Sequence, residues 1–415
     1  MYKIQSVIIS NFWGKFNAHC DFDDNVNIII GRNGTGKTTF MNILQSVLSV
    51  DIDGIMNTNF DRIEIKLKHN NRIKTIKARK IENPNFPIQT LEYQISQSKY
   101  QARLIPSDDR RISPAFRRRM QEECEQIKIK LAELVSLSSL SVYRLRNGQD
   151  YEVRDKNGTR AIAPVDFKLG ELLQDLTHYQ LDLSQKARDV ATKLQKDVLA
   201  SILYSKEDSK HKGYILSYDK EKERTDLVAA YKRLNAIDDD VKQKINFHVG
   251  AIDEAIKKIN KQSGDINFAS LEALRKTQSI IKMSLKAEEE TSHIFAQITL
   301  FLETLRSFIP DKTFQFIGGL LKISSLDESI DCSELSSGEK QLLILFIETL
   351  LQRQKPFVFL TDEPELSLHI AWQRKIIPAI RHINPNAQII AATHSPEIAS
   401  SYKNFIYNME NLIRE

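Results

Sequence analysis

The feature that most constrains this chain is a glycine-rich segment between an apolar stretch and a stretch with helical spacing. The segment GRNGTGKTT occupies residues 31–39, VNIII precedes it, and TTFMNILQSVL follows from residue 38. Almost continuous apolar residues are typical of a buried strand, and apolar residues three and four apart predict a helix. A strand, a G-x-x-x-x-G-K-T loop and a helix in this order predict a phosphate-binding loop.

The residues of this loop have distinct predicted roles in binding a nucleoside triphosphate. The glycines let the backbone curl so that its N–H groups face the β- and γ-phosphates. Lys37 adds a positive charge to the same phosphates, and the Thr38 hydroxyl can reach Mg²⁺. We therefore predict ATP as the ligand and Mg²⁺ as the cofactor. The predicted nucleotide-binding residues are Gly31, Arg32, Asn33, Gly34, Thr35, Gly36, Lys37, Thr38 and Thr39.

A second segment, FVFLTDEPE at residues 357–365, supplies the acidic residues that such a loop requires. Its first five residues predict a buried strand, so Asp362 lies at the carboxyl end, where it can hold Mg²⁺ directly or through water. Glu363 follows and can polarise the attacking water. An acidic pair after a strand also suits an ordinary helix N-terminus. The glycine loop in the same chain favours the catalytic interpretation.

Two further segments have two interpretations each. ELSSGEKQ, which begins at Glu334, predicts a capped helix start, and equally a helix N-terminus that binds an anion. The residues concerned are Ser336, Ser337, Gly338 and Glu339. His394 follows the apolar stretch QIIAAT. It is either a polar residue with local partners or, beside Glu363, a group that contacts the γ-phosphate or orients the water.

Taken together, these four segments resemble the motifs of the ABC-type ATPases. Walker A is GRNGTGKTT, the signature is LSSGEKQ, Walker B is FVFLTDEP, and the switch histidine is His394. The resemblance implies that the signature of one subunit closes over the ATP held by another, so that the site forms only in a homodimer or a higher homo-oligomer. A Q-loop residue is left open among Gln89, Gln94 and Arg144.

Within that family, NFWGKF at residues 11–16 and DEPELSLH at 362–369 are similar to the RecF, SMC and OLD branch, which includes the AAA_15 and AAA_21 ATPases. OLD proteins carry a nuclease domain after the ATPase, whereas this chain ends soon after His394. The resemblance therefore implies an effector in trans, a nuclease or a toxin, as in the toxin–antitoxin-like, two-component anti-phage systems PARIS and Septu. A phage protein or nucleic acid is the expected trigger.

Two other functions stay open from the sequence. The first is a RecF- or SMC-like ATPase for DNA repair or maintenance, in which DNA itself is the ligand. The second is a scaffold that binds ATP to assemble and scarcely hydrolyses it. Strong stimulation of hydrolysis by DNA, weakening steeply with salt, is the property expected of the first.

The predicted fold is α/β: an ABC-type P-loop ATPase head with an antiparallel β subdomain and an inserted helical lobe. Alternating residues around Asn70-Asn71 predict a β-hairpin over 62–79, and Ser113-Pro114 predicts a helix start. We expect an irregular segment over 81–112, a strand end at 142–146 and a hairpin over 149–160. The predicted domains are residues 1–165 (first part of the head), 166–308 (helical lobe) and 309–415 (second part of the head).

Charge and cysteine usage limit the remaining possibilities. The formal net charge of +5 permits contact with nucleic acid without requiring it. An arginine cluster is either a solvated helix face paired with Glu122, Glu123 and Glu125, or a surface for phosphates or an acidic protein. Its members are Arg103, Arg110, Arg111, Arg117, Arg118 and Arg119. Three dispersed cysteines and no long apolar stretch predict a cytoplasmic protein without disulfides, a zinc site or a membrane partner.

Overall fold

The computed structural model describes residues 1–83, 86–105, 113–139, 151–155, 158–201, 218–234, 236–260, 268–326, 328–365 and 368–414. These residues form two compact units, one of residues 1–177 with 300–415 and the other of residues 178–299. The fold is α/β, as predicted. Among the described residues, no helix combines the length and the hydropathy needed to cross a membrane.

The strands in chain order are β1 (Lys3–Phe12), β2 (Phe16–Asp21), β3 (Val26–Ile30), β4 (Arg62–His69), β5 (Arg72–Asn83), β6 (Phe86–Ile95), β7 (Ser98–Arg103), β8 (Leu137–Ser139), β9 (Tyr151–Asp155), β10 (Gly158–Ile162), β11 (Thr313–Ile317), β12 (Leu320–Ser325), β13 (Glu328–Ile330), β14 (Phe357–Asp362), β15 (Ala387–Ala392), β16 (Ile406–Asn408) and β17 (Ile413–Arg414).

The helices are α1 (Lys37–Ser49), α2 (Ile52–Met56), α3 (Pro114–Ala132), α4 (Pro164–Ser201), α5 (Lys220–Arg233), α6 (Asp239–Asn260), α7 (Phe268–Phe308), α8 (Ser337–Leu351), α9 (Ile370–Ile383), α10 (Pro396–Ala399) and α11 (Met409–Leu412). Short 3₁₀ turns span Cys332–Glu334 and Ser400–Phe405.

The first unit contains two large sheets of different kind. A parallel sheet has the strand order β16–β3–β15–β14–β8, and an antiparallel sheet has the order β17–β2–β1–β4–β5–β6–β7. One hydrophobic core takes side chains from α1 and from both sheets, for example Leu44, Ile9, Leu360 and Ile390. Because all strands of the parallel sheet point the same way, the segments that follow them meet at one edge.

The antiparallel sheet confirms the predicted hairpin. In β4, Ile63, Ile65 and Leu67 are fully buried and alternate with more exposed charged residues. Asn70 takes the left-handed conformation (φ 52°) in the turn to β5. Asparagine tolerates this region better than most residues, since its short side chain bonds locally. One face of the hairpin therefore packs on the core and the other faces solvent, as its alternation predicted.

The expectation of an irregular segment over 81–112 is wrong for most of its described part. Strand β5 continues to Asn83, and β6 and β7 pair antiparallel with a register that puts Leu91 opposite Ala102. Leu91 and Tyr93 are fully buried, so the alternation in LEYQI outweighs the loop preference of the nearby prolines. Residues 106–112 lie outside the described residues.

The predicted start of helix α3 is confirmed. Ser113 is the N-cap, its hydroxyl oxygen accepts a hydrogen bond from the Phe116 N–H at 3.4 Å, and Pro114 is the first helical residue. The hairpin predicted over 149–160 also forms, as β9 paired with β10, and extends two residues further, to Ile162. The expected strand end at 142–146 lies outside the described residues.

The second unit consists of helices, in agreement with the amphipathic pattern of its sequence. Its core includes one cluster of Leu227, Ala230, Ile245, Val249 and Ile281, from α5, α6 and α7. Another cluster joins apolar residues at the end of α6 to the start of α7. Burying these apolar stripes is what stabilises helices with such charged outer faces.

Candidate nucleotide site

The phosphate loop leaves β3 at the edge where the parallel strands end. Gly34 and Gly36 have positive φ angles of 82° and 96°, which favour glycine, and Gly36 is the N-cap of α1. A Cβ atom on Gly36 would stand 2.9 Å from the ring of Phe12 and 3.0 Å from that of Trp13. The loop can therefore curl and approach these rings only with glycine at these positions.

Lys37 lies inside the loop. Only 5% of the residue is exposed, and its Nζ donates hydrogen bonds to the carbonyl oxygens of Gly31 at 2.9 Å and Arg32 at 3.2 Å. Burial lowers the pKa of Lys37, although the carboxylates of Asp362 and Glu363 act to raise it. The ammonium group is thus held at the centre of the loop, in the electric field of the acidic segment.

The acidic segment follows β14, whose residues Phe357 to Leu360 are buried as predicted. Asp362 is the last residue of the strand. Glu363 takes a left-handed conformation (φ 50°), and its N–H donates to the Ala392 carbonyl at 2.7 Å. Such a conformation costs about 1–3 kcal/mol in a non-glycine residue and persists where neighbours enforce it. The bond to Ala392 is one such constraint, and it fixes the backbone that carries the carboxylate.

His394 lies opposite Glu363, just beyond the end of β15. Its Nε2 is 3.9 Å from Glu363 Oε1, and both side chains are about one-third exposed. Because β14 and β15 are adjacent parallel strands, their carboxyl ends bring these two residues together. The structure therefore joins the predicted pair Glu363 and His394 beside the loop that holds Lys37.

A third carboxylate, Glu365, has a position that sequence reasoning missed. Its Oε1 accepts hydrogen bonds from the Thr393 hydroxyl at 2.7 Å, the His394 N–H at 2.9 Å and the Ser395 N–H at 3.1 Å. The only signal in the sequence was an acidic residue soon after one strand, with a polar loop after the next. The motifs paired the two segments through Glu363 and His394, but nothing in them indicated that Glu365 would bind the loop.

Trp13 is a second residue whose position was missed. Its ring stacks on Phe12 with centroids 5.0 Å apart, and its Nε1 donates to the Thr39 hydroxyl at 3.3 Å. The residue is 38% exposed. An exposed indole beside the phosphate loop offers a flat surface to a nucleotide base.

The carboxyl-terminal segment forms another wall of the loop. Strand β16 pairs parallel with β3, and Met409, the first residue of α11, lies where a Cβ on Gly31 would come within 3.2 Å of it. Arg32 Nε is 3.9 Å from Glu410 Oε1, in an exposed ion pair. Residues from both ends of the chain thus shape the loop.

The signature segment starts helix α8, which confirms the capped helix start. The Ser336 hydroxyl oxygen accepts from the Glu339 N–H at 3.3 Å, and Glu339 Oε2 accepts from the Ser336 N–H at 2.8 Å. Burial raises the pKa of Glu339, but hydrogen bonds from Lys312 and Ser336 outweigh it and lower the pKa below its ordinary value. Glu339 is therefore a charged structural group. The anion-binding role of Ser337 and Gly338 stays a prediction.

The arginine cluster has partners of the type expected for a solvated helix face. Arg118 lies 3.3 Å from Glu122, and Arg119 lies 3.7 Å from Glu123. Arg103 is 3.9 Å from Glu123 and stacks over a phenylalanine ring. Arg110 and Arg111 lie outside the described residues. These contacts favour the structural interpretation for the arginines concerned, since their charges already have partners.

The Q-loop candidates have local contacts. Gln89 Nε2 donates to Glu82 at 3.0 Å, and Gln94 Nε2 donates to the Ser96 carbonyl at 3.1 Å. Arg144 lies outside the described residues. The Q-loop assignment therefore stays open.

Comparison with known proteins identifies the family of the chain. Residues 2–399 match the family model AAA_15, described as an AAA ATPase domain. The Retron Vc95 probable ATPase of Vibrio cholerae serotype O1 biovar El Tor is 22% identical over 91% of this chain and 67% of its own length. The Retron Ec83 probable ATPase of Escherichia coli is 23% identical over 95% of this chain and 69% of its own.

Two further similarities are more restricted. The Septu protein PtuA of Bacillus thuringiensis is 52% identical over 44 residues, which are 11% of each chain. The Smc head domain of Pyrococcus furiosus has a TM-score of 0.44 and 13% identity, covering 96% of this chain and 92% of that one. Since the family model spans nearly all of the sequence, the resemblance predicted from the motifs is confirmed. The chain belongs to the AAA_15 family of AAA ATPase domains.

Proposed function

We propose that this protein is an ATP-binding and ATP-hydrolysing switch subunit that dimerises around ATP. The observation that carries the proposal is the position of the Glu363–His394 pair at the ends of adjacent parallel strands, with Lys37 held in the loop after a third strand of the same sheet. This arrangement combines a phosphate-binding group, a carboxylate for the water and a histidine for the γ-phosphate.

The residues present fit ATP and Mg²⁺. Gly34 and Gly36 give the loop a curl in which N–H groups can face phosphates. Thr38, next to Lys37 in the chain, and Asp362, whose charge acts on Lys37, offer the hard oxygen ligands that Mg²⁺ prefers. When bound, Mg²⁺ would neutralise charge on the β- and γ-phosphate oxygens.

The chemistry assigned to the chain's own residues is an in-line hydrolysis. Glu363 orients a water molecule, whose oxygen attacks the γ-phosphorus while the bond to the bridging β–γ oxygen breaks. The water proton passes by way of Glu363 to solvent, and ADP and phosphate are released. Lys37 binds the phosphate charge, and His394 contacts the γ-phosphate beside Glu363.

A second copy of the chain completes the proposed site. The Ser336 hydroxyl and the Glu339 carboxylate already cap α8 within one chain. Ser337 and Gly338 occupy the first helical positions, where N–H groups lack intrahelical acceptors. These groups are suited to bind the γ-phosphate of ATP held by the other copy. ATP therefore acts as the ligand that joins two copies, and hydrolysis separates them.

The test compares the parent protein with Lys37→Ala and Glu363→Gln. The parent should release phosphate from ATP, and Lys37→Ala should not. Glu363→Gln should bind ATP, hydrolyse it at least about a hundredfold more slowly and accumulate as a dimer, because the amide cannot accept the water proton. Light scattering with and without ATP measures the dimer. Hydrolysis by Glu363→Gln at the parent rate would refute the assignment of this residue.

We further propose that the closed and open states control an effector in trans, a nuclease or a toxin, in defence against phage. Two retron ATPases and a Septu protein are among the relatives, which supports a role beside a partner protein. A phage protein or nucleic acid would be the trigger. Phage plating on cells carrying the chain together with its neighbouring genes, with Lys37→Ala as the inactive comparison, tests this role. Equal plating for both would count against it.

DNA maintenance and scaffolding are the rival functions. The ion pairs of Arg118 and Arg119 leave less charge for DNA phosphates than the sequence suggested. The close approach of Glu363 and His394 favours turnover over a purely structural use of ATP. Measuring the ATPase rate with and without duplex DNA separates the rivals. A large increase with DNA would favour the maintenance enzyme, and a rate equal to that of Lys37→Ala would favour the scaffold.

A further inference from the structure

The loop that carries His394 donates three hydrogen bonds to one carboxylate oxygen. Glu365 Oε1 accepts three hydrogen bonds, from the Thr393 hydroxyl and from the backbone N–H groups of His394 and Ser395. The N–H of Ser395 also donates to the Thr393 hydroxyl oxygen at 2.8 Å. Hydrogen bonds to a carboxylate are stronger than those between neutral groups. One carboxylate oxygen therefore holds groups before, at and after the histidine, while the Thr393 N–H donates separately to the Ile29 carbonyl at 3.0 Å.

A second side chain, that of Gln373, also connects the segment after β14 to the loop after β15. Gln373, on α9, accepts a hydrogen bond from the Ser395 hydroxyl at 2.8 Å. Its Nε2 donates to the Leu368 carbonyl at 3.2 Å and to the Glu365 carbonyl at 3.5 Å. The segment after β14 and the loop after β15 are thus joined twice, by Glu365 directly and by Gln373.

This arrangement gives Glu365 a role different from that of Glu363. A general base needs an oxygen that can take a proton from water. Oε1 of Glu365 is occupied by three donors, and its Oε2 is buried, with no hydrogen-bond partner among the described residues. The carboxylate of Glu363 is about one-third exposed and lies 3.9 Å from the His394 ring. Glu365 is therefore placed to hold the loop, and Glu363 to act on the substrate.

We propose that Glu365 is a positioning residue for ATP hydrolysis, which holds residues 393–395 so that the His394 ring faces Glu363. The proposal rests on the ATPase function proposed above and adds a residue to its machinery. Substitution of Glu365 should lower turnover and leave ATP affinity nearly unchanged, because Glu365 acts on Lys37 only through its charge, as one of three nearby carboxylates, and not through a hydrogen bond.

The test is a double-mutant cycle with Glu365→Ala, His394→Ala and the two combined. Glu365→Ala should lower kcat at least about thirtyfold and change the ATP dissociation constant less than about threefold. Glu365→Gln should lower kcat less than Glu365→Ala does, since its amide oxygen can still accept the three hydrogen bonds. If Glu365 acts through His394, the double variant is no slower than His394→Ala alone. Losses that multiply in the double variant would overturn the proposal.

The matched control is Glu397→Gln. Glu397 follows the same loop but forms a surface ion pair with Arg374. The kcat of Glu397→Gln should therefore stay within about twofold of the parent value. Melting temperatures distinguish positioning from folding. If Glu365→Ala loses ATP affinity and melting temperature in proportion to kcat, the role is structural and the proposal is wrong.

A readout without ATP separates this proposal from the ATPase function itself. Hydrogen–deuterium exchange of the His394 and Ser395 amides should be at least about tenfold faster in Glu365→Ala than in the parent or in Glu397→Gln. If the parent hydrolyses no faster than Lys37→Ala, the proposed ATPase function fails. Exchange still decides whether Glu365 holds the loop, and unchanged exchange rules that out.

Discussion

Gln388 connects the two sheets of the first unit, and replacing it should destabilise that unit. The residue is fully buried in β15, the strand that leads to His394. Its Oε1 accepts from the Ile4 N–H of β1 at 2.7 Å. Its Nε2 donates to the Ile4 carbonyl at 2.7 Å and to the Asp23 carbonyl at 2.8 Å. One amide side chain thus satisfies three backbone groups of the other sheet and its connection.

Methionine at position 388 would keep much of the volume and remove all three hydrogen bonds. Each is worth about 1 kcal/mol, and a buried backbone group left without a partner costs about 1–3 kcal/mol, while the apolar side chain recovers part of this loss. We expect Gln388→Met to lower the free energy of unfolding by about 4 kcal/mol. Such a change is large beside the usual 5–15 kcal/mol stability of a domain.

Tryptophan fluorescence reports on the unfolding of the first unit, which contains Gln388. The chain has two tryptophans, Trp13 and Trp372, and both belong to the first unit. Unfolding in urea, followed by the fluorescence of these two tryptophans, should have its midpoint at a lower urea concentration in Gln388→Met than in the parent. Gln94→Met is the control, because Gln94 is only partly buried and its side chain donates to the nearby Ser96 carbonyl, so its effect should stay within about 0.5 kcal/mol. A loss below about 1 kcal/mol for Gln388→Met would refute the reasoning.

Three further predictions concern the loop and the helical unit. Gly36→Ala should weaken ATP binding at least about tenfold in a titration, because a Cβ there meets the rings of Phe12 and Trp13 in a backbone conformation that favours glycine. Trp13→Ala should raise the ATP dissociation constant about three- to tenfold, because it removes an aromatic surface beside the loop. A dissociation constant equal to that of the parent would contradict this. Burial raises the pKa of Glu223 above its ordinary value of 4.5. Below pH 4.5 the group is protonated in both the folded and the unfolded chain and costs no stability. As the pH rises through the raised pKa, the folded chain must bury a charged carboxylate, and the free energy of unfolding falls. Glu223→Gln should therefore raise the melting temperature of the helical unit more at pH 7.5 than at pH 4.5, and an equal effect at both would contradict this cause.

The sequence predicted the elements whose signals are local. Walker A, the strand before Asp362 and the cap at Ser113 each depend on a few neighbouring residues, and the structure contains all three. The pairing of β6 with β7 was missed, because prolines nearby weighed against an alternation only five residues long.

The site was predicted less completely than the fold. Glu363 and His394 could be chosen because their segments resemble the Walker B and switch motifs that accompany such a glycine loop. The three hydrogen bonds to Glu365 and the contact of Trp13 with Thr39 join segments distant in the chain. No periodicity or spacing encodes such contacts, since they depend on which strands become neighbours and on side-chain direction.

The pairing of β3 has a consequence for the order of synthesis. This early strand, which leads into the phosphate loop, pairs only with β15 and β16 in the described sheet, and both come from the far end of the chain. While the ribosome is still making the middle of the protein, β3 has neither neighbour, and the loop lacks the wall that Met409 provides. Because these pairings join strands far apart in sequence, we expect the parallel sheet to form late and slowly in folding.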